Sequence, residues 1–566
     1  MEKQKENTEI NMEKQKEEIV KIIFPENLPS PDELELKYPP RELPKEAMVT
    51  RIAPSPTGFM HIGSLYAALI SERFAHQTNG VFYLRIEDTD KKREVEGAVN
   101  LISRSLDHFG IQVDEGLGLS GVEKGLYSPY IQSKRADIYK TYIKKLLEED
   151  RAYLCFCTED ELEQMRKEQL DQGVRPGYYK QWALWRDKSL EDALTKLKEG
   201  NSFVVRFKSP GDFNNRININ DSIIGTREFS ENDQDIVIMK SNGLPTYHLA
   251  HVVDDHLMRT TDVMRGDEWL SSLPLHLQLF ESFGWEPPRY AHISPIQKID
   301  GSSRRKLSKR KDPEANITYF EERGYPKEAI IEYLINLANS NFEDWRKANI
   351  GKNYREFQVS FKKLKNNSGA LFDFIKLDDI SKEIVAQLTS AEIYKKVLEW
   401  AKRYNKDFAN LLKKYPDYSE MIFSIERGAG IKARKDICRW SDAPKEIGYF
   451  FDENFHISKE ETISILSDFD ETDIYKIVCD FIDSYNYNDP KDIWFNKVKE
   501  MARTHNYADS GKEFKKNPNK YKGTISDVAK IFRVLLTGRK ETPDLWSIMQ
   551  VMGKERVLKR LRVIGD

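Results

Sequence analysis

One order of elements constrains this chain more than any other feature. Residues 48–53 (MVTRIA) read as a strand, and a Pro/Gly segment follows. A helical pattern runs over 61–76, and the apolar run at 81–86 reads as a second strand. Strand, loop, helix, strand is the βαβ pattern of a parallel sheet. Helical patterns continue over 95–109 and 135–150. From about 151 to 241 the texture changes, with a helical stretch at 159–170 and strand-like stretches at 203–207 and 236–239. Asn242-Gly243 between residues 236–240 and 246–250 is a hairpin turn signal. This region reads as an insertion between two halves of the sheet domain. Sheet texture is expected to resume with Val252-Val253 and Val263-Met264, followed by a helix over 272–283. Beyond Pro326 the chain reads as helical. Thr389 and Glu392 form a capping box, with Ile393, Val397, Trp400 and Ala401 on one face of the helix they start.

Composition narrows the classes. The 566 residues suffice for three or four domains of about 150 each. Lys plus Arg total 89 and Asp plus Glu 92, a net charge of −3. That excludes a uniformly basic nucleic-acid coat, so any polyanion must be met by local patches. Cys155, Cys157, Cys438 and Cys479 are too few for a disulfide scaffold and fit a reducing compartment. No apolar run approaches the roughly 18 residues that span a bilayer. No apolar core follows the N-terminal MEKQKENTEINMEKQKEEI. The expectation is a cytoplasmic protein with no membrane partner. Residues 1–46 form an N-terminal extension that reads as flexible: 1–20 are charged, a solvated helix or a disordered tail, and the Pro-rich stretch that follows reads as an extended arm.

Two segments carry chemistry. In Arg51–Ser64 (RIAPSPTGFMHIGS), Gly58 and Gly63 let backbone approach a ligand, and the next helix points its positive end at the loop. His61 at that mouth could donate to a phosphate oxygen, or simply cap the helix. The second segment is KLSKR (306–310), inside the stretch 298–311 with seven basic residues and one acid. Its lysines could follow charge as it builds on a leaving pyrophosphate, from a loop that Gly301-Ser302-Ser303 would make mobile. The other reading is a solvated basic run touching RNA backbone.

TGxxHIG after the first strand and KLSKR after the last form the paired signature of class I aminoacyl-tRNA synthetases. RIAPSPTGFMHIGSLYAAL, FYLRIEDTD, YHLAHVVDDHLMRTTDVMRGDEWL and RRKLSKRKD closely resemble the glutamyl-tRNA synthetase family of bacterial type. The resemblance is strong over 48–340 and weaker over 341–566. It implies an α/β fold: a Rossmann-like, doubly wound parallel-sheet catalytic domain with an α+β insertion, then all-α C-terminal domains. The implied layout is a catalytic first half at 47–150 and an acceptor-binding insertion at 151–245. A catalytic second half follows at 246–312, then a helical stem-contact domain at 313–385 and an anticodon-binding region at 386–566. The implied activity joins L-glutamate to tRNA-Glu through a glutamyl-adenylate, consuming ATP with Mg²⁺ and releasing AMP and pyrophosphate. The amino-acid carboxylate is itself the nucleophile, so the protein's task is positioning and charge stabilisation.

By the same resemblance, His61 and Gly63 cradle ATP with Thr57 and Ser308 nearby, and Lys306 and Lys309 act at the phosphates. Arg51, Arg265, Tyr247, Glu87, Ser55 and His251 bind glutamate. Arginine suits a carboxylate because its planar fork binds both oxygens. Glutamine would leave one arginine charge unpaired, which is how a polar site rejects a near-isostere. His251 stands where relatives carry Asn. Its titration is expected to make the glutamate KM depend on pH between about 6 and 7.5. Cys155-Phe-Cys157 resembles the start of a zinc site in some members, but KQWALWR after Tyr178-Tyr179 supplies no further cysteine, so zinc is not expected. Trp440, Arg434 and Arg439 are either candidates for stacking on unpaired anticodon bases or ordinary core and surface residues, and none is named as a site. A monomer is the family expectation. The alternatives are a non-discriminating enzyme that also charges tRNA-Gln and a non-catalytic tRNA-binding paralogue. A short glutamyl-queuosine-type chain would lack the long helical C-terminus.

Overall fold

The structure, a computed structural model, describes residues 2–90, 92–364, 370–428 and 430–565. Strands Val49–Ile52 and Val81–Leu84 pair in parallel, and Glu115–Leu117 adds in parallel to the second. Helix Ile62–Gln77 is the crossover between the first two. Strands Asp262–Gly266 and Arg289–Ile293 form a second parallel pair. The Thr261 N–H donates to the Val49 carbonyl at 3.0 Å, which brings that pair beside the first strand. Most residues of these strands are buried, as expected where helices cover both faces of a sheet. The order places strand C-termini, and the loops that follow Ile52 and Gly266, along one edge, where ligands bind in open α/β sheets.

The inserted region builds its own antiparallel sheet from Ala152–Cys155, Val204–Phe207 and Val237–Met239, plus the hairpin Arg216–Asp221 with Gly225–Ser230. Asn242-Gly243 does turn the chain, with Gly243 at φ 78°. The second arm is not a strand, however. Residues Tyr247–Leu257 form a helix, and Val252-Val253, expected in a strand, lie inside it. Leu249, Ala250, Val253 and Leu257 recur at helical spacing and are buried.

The N-terminal arm also departs from expectation. Residues Glu2–Ile23 take the helical alternative, but the Pro-rich stretch is not simply extended, since it holds helix Pro31–Lys37. Ser30 and Glu33 cap the second helix reciprocally, with Pro31 at its first position. Ile19, Phe24, Leu34 and Tyr38 are buried in the same core as Tyr139, Leu249 and Phe280. Arg41 forms a two-pronged ion pair with Glu115, and Arg259 donates to the Tyr38 carbonyl. Burial of four large apolar side chains, at about 1.5–3 kcal/mol each, outweighs the arm's charge and prolines.

The backbone divides into two compact units, Met1–Tyr319 with Ile331–Asp373, and Phe320–Ile330 with Phe374–Asp566. The expected 313–385 domain is therefore split between them, and residues 365–369 within it lie outside the described residues. The second unit is helical. Helix Ser390–Tyr404 starts at the reciprocal Thr389–Glu392 cap and buries Ile393, Val397 and Ala401. Among the described residues no helix is long and apolar enough to cross a membrane.

Candidate active site

A cleft of about 510 Å³ opens at the sheet edge. His61, Gly63, Lys306 and Lys309 line one end. Arg51, Glu87, Tyr247 and Arg265 line the other, with Ser55 on the connecting loop. Nine of the sequence-predicted residues thus meet, from segments more than 200 positions apart. Thr57, Ser308 and His251 do not reach the cleft wall.

His61 is the N-cap of helix Ile62–Gln77 rather than a residue within its first turn. Its Nδ1 accepts the Gly63 N–H at 2.9 Å, which leaves the proton on Nε2. The ring also meets the Leu307 backbone, and burial together with the charges of Lys309 and Lys306 lowers its pKa. The neutral ring is therefore a ready donor. KLSKR is not a free loop. Strands Ile296–Asp300 and Ser303–Lys306 form a hairpin, with Gly301 in the left-handed region at φ 62°. Asp312 staples the turn that follows, accepting Arg305 through both carboxylate oxygens and the Ser308 N–H at 2.8 Å. Ser308 is spent on that turn. Lys309 donates to the Phe59 carbonyl at 2.7 Å, and Lys306 pairs with Glu268 at 3.1 Å. Burial lowers the Lys309 pKa.

The other end is buried and ion-paired. Arg51 lies 3.4 Å from Asp255, which also takes Arg85 at 2.5 Å. Burial raises the Asp255 pKa, but Arg51 and Arg85 outweigh it and hold the carboxyl well below the usual range. Arg85 turns a second N–H to Glu87 at 3.0 Å. Burial raises the Glu87 pKa despite Arg85 and Arg51. Neighbouring Asp254 takes Arg135, Gln132 and Tyr139 at 2.6, 2.9 and 2.8 Å. Tyr247 stands between His251 and Trp269, with ring centroids 5.6 and 4.3 Å away.

His251 is fully buried one layer beneath the wall. Its Nδ1 lies 2.9 Å from Asp255 and its Nε2 3.1 Å from the Tyr290 hydroxyl. Burial lowers its pKa to about 3 even though Asp255 favours its charge. It therefore stays neutral between pH 6 and 7.5, which corrects the expected titration. Asp255, Arg85, His276 and His292 were not singled out as site residues in the sequence, although the first two stand inside segments that carry the resemblance.

Cys155 and Cys157 each place Sγ 3.4 Å from the Tyr178 hydroxyl, and Arg206 lies over that ring at 3.8 Å. Among the described residues no group of three or more His, Cys, Asp or Glu is gathered to hold a metal. In the helical unit, Arg434 pairs with Asp436, Arg439 with Asp442, and Trp440 is buried in the core. These three are spent on the fold and are not free stacking platforms.

Residues 47–378 match the family described as tRNA synthetases class I (E and Q), catalytic domain, and residues 497–564 match an anticodon binding domain. The chain is 47% identical over 545 residues to the glutamate-tRNA ligase of Clostridium perfringens (strain 13), covering 96% of this chain and 100% of that one. The chain belongs to the glutamate-tRNA ligase family. It is also 48% identical over 525 residues to the family member of Acetivibrio thermocellus, covering 93% of this chain and 95% of that one. A crystal structure of a glutamate tRNA ligase from Elizabethkingia meningosepticum, in complex with its amino acid, superposes with a TM-score of 0.73 at 28% identity. The match covers 91% of this chain and 99% of that one. A glutamate-tRNA ligase attaches glutamate to tRNA.

Proposed function

We propose that the two ends of the cleft divide this reaction between them. ATP lies at the His61–Lys309 end and glutamate at the Arg51–Arg265 end, so that the α-carboxylate attacks the α-phosphorus and pyrophosphate leaves. The observation that carries this reading is the convergence of nine separately predicted residues on one wall. Nε2–H of His61 donates to a phosphate oxygen, and the positive end of helix Ile62–Gln77 faces the phosphates. Lys309 and Lys306 exchange Phe59 and Glu268 for the phosphates and offset charge on the leaving pyrophosphate. The Lys306–Glu268 pair is weak, since an exposed ion pair is worth about 0–1 kcal/mol. Magnesium enters with the nucleotide as its counter-ion and supplies further charge neutralisation there. Arg51, Arg265 and Tyr247 take the substrate carboxylates, Glu87 takes its ammonium, and Ser55 lies at the junction. The activated carbonyl then passes to the terminal ribose hydroxyl of the tRNA, with AMP leaving.

The RNA substrate in this reading is tRNA-Glu. Aminoacylation with radiolabelled glutamate, on purified tRNA-Glu and tRNA-Gln separately, tests it. Charging of tRNA-Glu alone is expected. Equal charging of tRNA-Gln would make the enzyme non-discriminating, and charging of neither would defeat the reading.

A further inference from the structure

The two cleft arginines are equally buried, at 4% and 6% exposure for Arg51 and Arg265, yet their surroundings are opposite. Arg51 faces the Asp255 carboxylate. Arg265 donates only to neutral acceptors: Nε to His292 Nε2 at 3.0 Å, one terminal nitrogen to His276 Nδ1 at 3.1 Å, and the other to the Trp269 carbonyl at 3.3 Å. Among the described residues Arg265 makes no ion pair. Removing a cation from water costs several kcal/mol, so buried guanidinium groups are ordinarily paired. The groups around this end contain Arg51, Arg85 and Arg265 against Asp255 and Glu87. Asp254 is balanced by Arg135 at 2.6 Å. Asp221 meets Arg265 through His292 and not directly.

The two histidines are locked in the tautomers that this arrangement needs. His292 donates from Nδ1 to Asp221 at 2.7 Å, which leaves Nε2 as the acceptor for Arg265. His276 lies 3.0 Å through Nε2 from His248 Nδ1, so it donates there and accepts Arg265 at Nδ1. Burial, with His251, Arg265 and His248 as neighbours, holds the His276 pKa well below its ordinary value. Burial likewise lowers His248 to about 4. Other charged groups face the cluster: Asp255 favours a charged His276, while Asp221, in direct contact, and Asp267 favour a charged His292. Burial prevails in each case.

We propose that His276 is a positioning and specificity residue: it aims Arg265 into the cleft without neutralising it. Arg265 then keeps its N–H groups on neutral acceptors, so the side-chain carboxylate of the substrate becomes its direct charge partner and a carboxamide does not. A carboxylate at position 276 would make Arg265 equivalent to Arg51 and erase that difference. This inference rests on the reading that glutamate occupies this end.

The test compares His276→Asp, His276→Gln and His276→Leu by steady-state aminoacylation, with circular dichroism confirming the fold. His276→Asp is expected to raise the glutamate KM about 100-fold and to lower the preference for glutamate over glutamine by a similar factor. The ATP KM should stay within about twofold. His276→Gln keeps a neutral acceptor and should stay within about threefold of the parent. His276→Leu removes the acceptor and should raise the glutamate KM about tenfold with kcat at saturation retained. If His276→Asp does not fold, the Gln and Leu variants decide: a difference between them supports the proposal, and equal KM values overturn it. A folded His276→Asp enzyme with the parental KM and selectivity also overturns it. Failure of the parent enzyme to charge tRNA with glutamate would instead sink the underlying reading.

Discussion

The two ends of the cleft are built on different terms. At the amino-acid end, Arg51, Arg85, Asp255 and His251 are buried and satisfy one another through contacts of 2.5–3.4 Å. At the nucleotide end, Lys306 and Lys309 are exposed and each holds one partner, Glu268 or a main-chain carbonyl. The first end is organised before substrate arrives, so little reorganisation is needed when glutamate binds. The second end can let go of its partners and follow a phosphate group whose charge moves during reaction. On the proposed placement of glutamate and ATP, selectivity belongs to the rigid end and rate to the adaptable one.

Breaking the rigid end should give the largest effect. Asp255→Asn leaves Arg51 and Arg85 short of their shared carboxylate. It should destabilise the protein by about 3–5 kcal/mol, read by denaturant unfolding, because an uncompensated charge stays buried. Lys309→Ala should do the reverse: stability unchanged, and kcat for aminoacylation down by about 100-fold, equivalent to about 2.7 kcal/mol of transition-state stabilisation.

Acid sharpens the comparison further. His251 and His248 are depressed to about 3 and about 4 in the folded state, while the unfolded chain takes up their protons near the ordinary value of about 6.5. The unfolded state thus binds more protons below that pH. Each buried histidine should remove up to about 1.4 kcal/mol of stability per pH unit as pH falls from 6.5 toward the folded values. Unfolding midpoints taken from pH 7 to 5 check this, and His251→Asn should flatten the slope. The smallest effect concerns substrate affinity. Because His251 stays neutral, the pH profile of the glutamate KM between about 6 and 7.5 should be the same in the parent and in His251→Asn.

Much of the nucleotide end was legible in the sequence, because its parts lie in two short segments whose glycines and lysines act locally. His61, Gly63, Lys306 and Lys309 all reach the cleft. The wall of the amino-acid end was legible through Arg51, Glu87, Tyr247 and Arg265. What holds that wall was not. Asp255, His276, His292 and Asp221 come from four elements, and no local pattern marks the two histidines, since a buried histidine and a surface histidine look alike in a sequence. The N-terminal arm was misread for a related reason. Ile19, Phe24, Leu34 and Tyr38 are spread over two helices and a turn, so no single window shows their common face. The Ser30–Glu33 capping box was the signal that could have found the second helix. Val252-Val253 misled because two adjacent β-branched residues read as strand, whereas the apolar spacing around them is helical.

The most direct test of the division of labour is steady-state aminoacylation of tRNA-Glu by Lys309→Ala and Arg265→Ala, with glutamate and ATP each varied. The account predicts that Lys309→Ala loses about 100-fold in kcat with the glutamate KM within about twofold. It predicts that Arg265→Ala raises the glutamate KM about 100-fold with the ATP KM within about twofold. Glutamate and ATP KM values that rise together in both variants would contradict it.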